Sequence, residues 1–262
     1  MKRTLLLATL LIPVSCAQAQ PAQDDKALPE ELAITESVVL QEADEFQSTA
    51  KFKFFRLPDK KRITAATEFE YGLTDRWEID ADVPDEFSNP NHGRSVDGLG
   101  DVEVAARYGV VPPGKKPFAF DGGLGFGIPT GDHARDLGEG RLTLEPFFTA
   151  STWLGGFNAQ LNGGWQRAIT NGGEEPRDDF EYNVAVLYPV DRWFLGLEGN
   201  GESNRDRTQY YVTPELIWKP TGNLQFLLAV PIGVTHAAGD YGIIASVTLE
   251  LKNVAHRGTD RD

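Results

Sequence analysis

Thiols are almost missing from this chain: Cys16 is the one cysteine among 262 residues. It falls within the first nineteen residues, which read as a signal peptide, so the processed chain needs no disulfide framework. Beyond that start no apolar run reaches eighteen residues, which excludes a membrane-crossing helix. Positive charge is in short supply, with 25 Lys and Arg against 39 Asp and Glu and a formal charge of −14. Loss of Lys2 and Arg3 with the signal brings it to −16 (−14 minus 2), which disfavours nucleic acid as a partner. Histidine is scarce too. His92, His133, His236 and His256 fall in loops or the tail, and none stands beside a strand serine. A hydrolase therefore has no visible nucleophile and base. The carboxylates between Asp85 and Asp101 lack a calcium-ligand spacing, and no catalytic residue, metal or cofactor is expected.

What the chain does contain begins with Lys2-Arg3, an apolar stretch from Leu5 to Val14, and Ala17-Gln18-Ala19. This is a secretory signal over 1–19 with cleavage expected near Ala19. Pro13 stands where a lipoprotein signal wants leucine, which argues against lipidation at Cys16. Residues 20–44 are acidic, contain Pro21 and Pro29, and read as a periplasmic leader. Within it, Glu31 to Glu42 has room for one or two helical turns.

From Glu45 to Leu251 the hydrophobic period is two, in twelve successive runs. The clearest lie between Phe180 and Gly199. Phe180, Tyr182, Val184, Val186 and Tyr188 alternate with Glu181, Asn183, Ala185 and Leu187. After Pro189 to Arg192, Trp193, Leu195 and Leu197 alternate with Phe194, Gly196 and Glu198, which makes a hairpin. Its aromatics stand at the strand ends. The other runs repeat this: Tyr71, Trp77, Tyr108, Phe118, Phe157, Tyr188, Trp193 and Trp218 lie beside tight turns. Phe126, Trp165, Phe180, Tyr210 and Tyr241 lie beside longer polar connections on the same face. Aromatic girdles at both ends of one apolar face fit strands that cross a bilayer, with Tyr and Trp at headgroup depth. Tight connections (72–76, 111–116, 154–156, 189–192, 220–223) also alternate with longer ones (84–98, 129–141, 168–179, 201–207).

The prediction is an all-β fold: a twelve-stranded antiparallel transmembrane β-barrel over 45–251, with a polar tail at 252–262 and both termini in the periplasm. A soluble periplasmic β-sandwich or lipocalin-like binding protein would explain the alternation but not the aromatic ends. Pro146 and Pro214 fall inside strands, where each removes a ladder donor, and bulges are expected there.

On the other face, strands two to five turn Glu68, Glu70, Glu78, Asp80, Asp82, Asp101, Glu103 and Asp121 inward, opposed by Arg107. Strands six to twelve turn Phe147, Trp153, Leu187, Phe194, Tyr211, Ile217, Leu227 and Ile244 inward among Glu145, Glu198 and Glu215. One wall is anionic and the other partly apolar. A watery passage so lined favours cations and neutral amphipathic solutes. Twelve strands lie between a barrel filled by side chains and an open one, so a plugged structural or assembly barrel stands as the alternative. Gly122 to Gly131 has no lysine to make it a phosphate loop, and Gly123, Gly125 and Gly127 read as a smooth inward stripe.

Four segments carry a resemblance: GLGDVEVAARYGV (98–110), GFGIPTGD (125–132), YGLTDRWEIDADVP (71–84) and WKPTGNLQFLLAVPIGV (218–234). They resemble the MetA-pathway of phenol degradation family of outer-membrane β-barrel proteins. The resemblance implies an outer-membrane location, with lipid and the barrel-assembly machinery as partners and no catalytic residues. It also implies passage of small solutes, aromatic or amphipathic compounds among them. One departure is the polar tail after Leu251, where such barrels usually end on an aromatic residue.

Overall fold

The computed structural model describes residues 28–114, 116–170, 178–252 and 254. The expected signal sequence, the start of the leader, part of the 168–179 connection and most of the tail lie outside them. The described strand segments are β1 (Phe46–Arg56), β2 (Lys60–Thr74), β3 (Trp77–Pro90), β4 (Val96–Leu99), β5 (Val102–Val111), β6 (Phe118–Ile128) and β7 (Thr143–Leu154). They continue with β8 (Phe157–Ala168), β9 (Asp178–Val190), β10 (Trp193–Ser203), β11 (Thr208–Thr221), β12 (Leu224–Ala229), β13 (Ile232–Gly233) and β14 (Tyr241–Leu251). These make twelve wall strands, because β4 and β5 run in line along β3, and β12 and β13 run in line along β11. Every neighbouring pair is antiparallel. β1 and β14 pair from Phe46↔Leu251 to Arg56↔Tyr241, which closes the sheet into a barrel with no free edge.

The two faces of each strand have opposite surroundings. In the central hairpin Leu195 and Leu197 are 52% and 53% exposed, whereas Ala185 and Leu187 on the alternate face are fully buried. The apolar residues at the exposed positions point outward all round the barrel. Each Å² of that surface costs roughly 25 cal/mol in water, so a continuous apolar belt calls for acyl chains around it. At the tight-turn rim the outward aromatics meet in pairs: Trp193 stacks on Trp218 at 5.4 Å, and Trp218 on Phe226 at 5.4 Å. Trp77 meets Tyr108 at 4.9 Å, and Phe157 meets Tyr188 at 5.0 Å. Phe118, Trp165, Phe180, Tyr210 and Tyr241 also lie outward and exposed. Tyr71 lies on that same face of β2, its hydroxyl donating to Asp44.

Three local expectations fail. The strands reach further than the period-two runs: β3 continues to Pro90 and turns back as β4, so the long connection expected at 84–98 is mostly a hairpin arm. Neither strand proline makes a bulge. The register is the same on both sides of Pro146 and of Pro214, and pairing lapses for a residue or two beside them. A missing N–H can be left opposite a gap in the neighbour, and Pro214 faces the break between β12 and β13. The register shifts fall instead near strand ends, at Gly72/Thr74, Gly109/Val111 and Trp218/Thr221. The third failure concerns the leader. Its described residues form no helix, and they do not lie outside the barrel. They fill the lower lumen.

Candidate functional site

The interior divides at mid-height. Below, towards the tight turns, the segment 28–45 enters the barrel, bends, and leaves by the same rim. At one end Lys219 donates to the Leu28 carbonyl (3.0 Å) and pairs with Glu30 (2.7 Å). At the other, Asp44 N–H donates to Gly72 O and Gly72 N–H to Glu45 O, both at 3.0 Å. Lys252 seals this seam on Glu45 (2.6 Å) and Glu250 (3.0 Å).

The segment forms no helix, and with the sheet closed on itself it finds no free strand edge to join. Its backbone donors therefore find inward side chains. Glu198 accepts from the N–H groups of Ala33 (2.9 Å), Ile34 (3.2 Å) and Thr35 (2.8 Å), and from the Thr35 hydroxyl (2.8 Å). Glu215 accepts a second bond from Ala33 N–H (3.1 Å). Gln225 takes Glu30 N–H, Gln160 takes Val38 N–H, and Glu78 takes Gln41 N–H. Arg107 donates to the Ser37 carbonyl at 2.6 Å and pairs with Asp121 at 3.1 Å. Leu32 and Ala33 pack on Ala185, Leu187, Phe194, Ile217, Leu227, Ala229 and Ile244 of β9 to β14. Leu28 and Val38 pack on Ala119 and Trp153. The partly apolar wall is therefore a seat for the chain's own leader. The alternating pattern placed these residues inward, but no local signal in residues 20–44 said what they would touch.

Above the bend the lumen opens into a cup of about 530 Å³, floored by Leu32 to Glu36. Of the candidate lumen residues, Glu68, Glu70, Asp80, Asp82, Glu103, Arg107, Glu145 and Tyr211 line it. Asp121, Glu198 and Glu215 do not: they sit lower, buried against the leader or against Arg107. Several residues not singled out from sequence also line the cup, notably Lys51, Lys53, Arg62, Glu181 and Glu202. Their inward parity on β1, β2, β9 and β10 was the signal available. Lys51 holds Glu31 and Glu68, each at 3.1 Å, and thereby ties the floor to the wall. Glu31, Glu68 and Glu70 converge closely enough to share a metal ion, but Lys51 already bridges two of the three.

The inward glycines fit large neighbours. A side chain at Gly123 would meet the Phe147 ring and the Ala106 carbonyl, and the vacant space lets Phe147 lie 5.9 Å from the Arg107 guanidinium. Gly164 likewise leaves room for Glu145.

The quoted motifs explain the mouth. Asp101, from GLGD, accepts the N–H of Gly131 (2.9 Å) and of Glu139 (2.6 Å), and the Thr130 hydroxyl donates to Gly100 O (2.7 Å). The connection 129–142, with a 3₁₀ turn at His133–Arg135, is thereby folded against the rim. Asp136 extends it across to Lys60 (2.6 Å), Arg62 (3.3 Å) and Ser88 (2.8 Å). Burial opposes ionisation of Asp136, but its bonds to Lys60 and Ser88 and the charge of Arg62 outweigh it and hold the carboxyl below its ordinary range.

The profile of the family described as "Putative MetA-pathway of phenol degradation" matches residues 78–251. No curated protein matches the chain in sequence. Among solved structures, the COG4313 outer membrane channel from Pseudomonas putida F1 superposes with a TM-score of 0.66 at 15% identity, covering 89% of this chain and 100% of that one. The NanC porin gives 0.55 at 10% identity over 79% of this chain and 100% of that one. The KdgM porin gives 0.52 at 9% over 77% and 98%. At such identities the likeness is one of fold, a closed twelve-stranded barrel of the outer-membrane porin kind. Since the family profile spans two thirds of the sequence, this chain belongs to the MetA-pathway of phenol degradation family.

Proposed function

We propose that this protein is an outer-membrane channel that admits small solutes through the cup and is closed on its periplasmic side by the folded-in leader. The observation that carries it is the cup itself, an open polar vestibule that ends on a segment of chain and not on the barrel wall. The leader's backbone N–H groups donate to wall side chains, and water could serve both partners in their place. Both ends of the segment meet the same rim, so withdrawal threads nothing through the wall. Short turns at that rim and longer connections at the other support a periplasmic position for the rim. The apolar belt and aromatic pairs support insertion in the outer membrane, and the fold likeness to channels and porins supports transport over catalysis.

Aromatic and amphipathic compounds remain the favoured solutes, as Phe55, Phe147 and Tyr211 stand among the cup's carboxylates. The plugged structural barrel is the second reading, and the buried Leu32, Ala33 and Val38 are what favour it. Planar-bilayer recordings decide between them. The full chain should show small, intermittent conductance, and deletion of residues 28–42 should make it large and steady. Leu32→Asp, which unseats the leader and leaves the chain length unchanged, should act in the same direction. Silence from all three proteins, each heat-modifiable on gels and hence folded, would rule out the channel.

A further inference from the structure

The leader's seat holds two buried carboxylates to which the leader brings no cation. Glu198 and Glu215 are 1% and 6% exposed, and both turn towards Ala33 N–H. The segment offers them neutral donors alone: three backbone N–H groups and one hydroxyl. Asn200 adds another neutral donor to Glu198 at 2.8 Å. Among the described residues neither carboxylate has a Lys or Arg within ion-pair distance, and Glu215 Oε1 has no hydrogen-bond partner at all. Around this pair lie Leu187, Phe194, Ile217 and Leu227, which Leu32 and Ala33 cover. Glu198 has a full set of donors but Glu215 accepts only from Ala33, and a buried carboxylate is costly unless a cation or a full set of donors meets it.

We propose that this seat is a binding site for a small amphipathic cation, with an apolar body on Leu187, Phe194, Ile217 and Leu227 and an ammonium head between Glu198 and Glu215. The segment Leu32–Thr35 occupies the site as an internal stand-in. It supplies the apolar contact and the donors but not the charge. A solute that brings all three outcompetes it and displaces the leader, so binding is coupled to opening. The proposal rests on the channel reading for its consequence in transport, but the binding step stands without it.

The test follows the Ala33, Ile34 and Thr35 amides by hydrogen–deuterium exchange in the full chain in detergent. The probes are phenethylammonium and its neutral counterpart of like length, 3-phenylpropan-1-ol. Saturating ammonium should speed exchange at these amides about tenfold, the shift expected when a ligand favours the open state by that factor. The alcohol should have little effect, and E198Q and E215Q should each abolish the response to ammonium. Equal responses to the two probes, no response to either, or an ammonium response that survives both substitutions would overturn the site. Faster exchange without conductance in bilayers would leave the site standing and remove the channel.

Discussion

At the scale of single residues, the interior is organised by what each inward position leaves room for. Gly123 exists beside Phe147 because β6 and β7 bring the two opposite each other, Gly123↔Phe147. Gly123→Ala should push the ring off Arg107 and press on Ala106 O, destabilising the barrel by about 1–3 kcal/mol as overpacking does. The temperature at which the barrel band converts to the unfolded band on gels should fall, and an unchanged temperature would show that the ring has slack. Asp136 carries a pH dependence. Its carboxyl lies below its ordinary range when folded, so the stabilisation is present above the unfolded value and is lost as pH falls through the folded one. Protease cleavage of the 129–142 connection should stay slow at neutral pH and accelerate below about pH 4. Asp136→Asn should be cleaved quickly throughout. Asp101 was expected among the inward carboxylates by its alternation, but it does not line the cup: it accepts the N–H of Gly131 and Glu139, a long-range contact that its spacing does not record.

At the scale of elements, the leader is the decisive piece. Its acidic, proline-bearing composition reads as a periplasmic leader, and its described residues have almost no secondary structure. The difference lies in where its backbone groups are satisfied, and that depends on Gln160, Glu198, Glu215 and Gln225, far away in sequence. Leu32 anchors its apex, buried against the apolar wall. Leu32→Ala should weaken seating by about 2–3 kcal/mol, the usual cost of emptying a leucine site. Amide exchange across Ala33–Val38 should then rise by one to two orders of magnitude, while exchange in β9 to β11 stays constant. If both rise together, the leader is part of the barrel's cooperative core and not a separable plug. The wall strands behave otherwise. Their period-two alternation is a local property, so the face each residue takes was readable from the chain. The ends and the breaks were not, since they depend on which residues the neighbouring strand presents.

At the scale of the whole molecule, the sign of the charge sets the field inside the cup. Ten of its lining side chains are carboxylates: Glu31, Glu36, Glu68, Glu70, Asp80, Asp82, Glu103, Glu145, Glu181 and Glu202. Against them stand Lys51, Lys53, Arg62 and Arg107. Low-dielectric walls focus such a field, so any ion current should be carried mainly by cations. Glu68→Gln with Asp80→Asn removes two of the charges and should shift the reversal potential in a salt gradient towards zero. A reversal potential on the anion side in the unmodified barrel would contradict the polarity assigned to the lumen. The barrel's closure is likewise a whole-molecule fact, resting on eleven paired residues between the first and last strands.

The chain alone determined the alternation, the aromatic rims, the alternating turn lengths and hence a closed membrane-type barrel, because each is written in neighbouring residues at a spacing of two. It also gave the parity of the strand carboxylates, though Asp101, read as inward, is taken up by the 129–142 connection. Only the tertiary structure decided that the lumen is half filled, that its apolar wall serves the leader, and that Glu198 and Glu215 hold backbone donors below an open cup. Those outcomes come from long-range matching between an irregular segment and the inner wall. A backbone without a ladder of its own goes wherever its N–H groups find acceptors, and no local period in a sequence records that place.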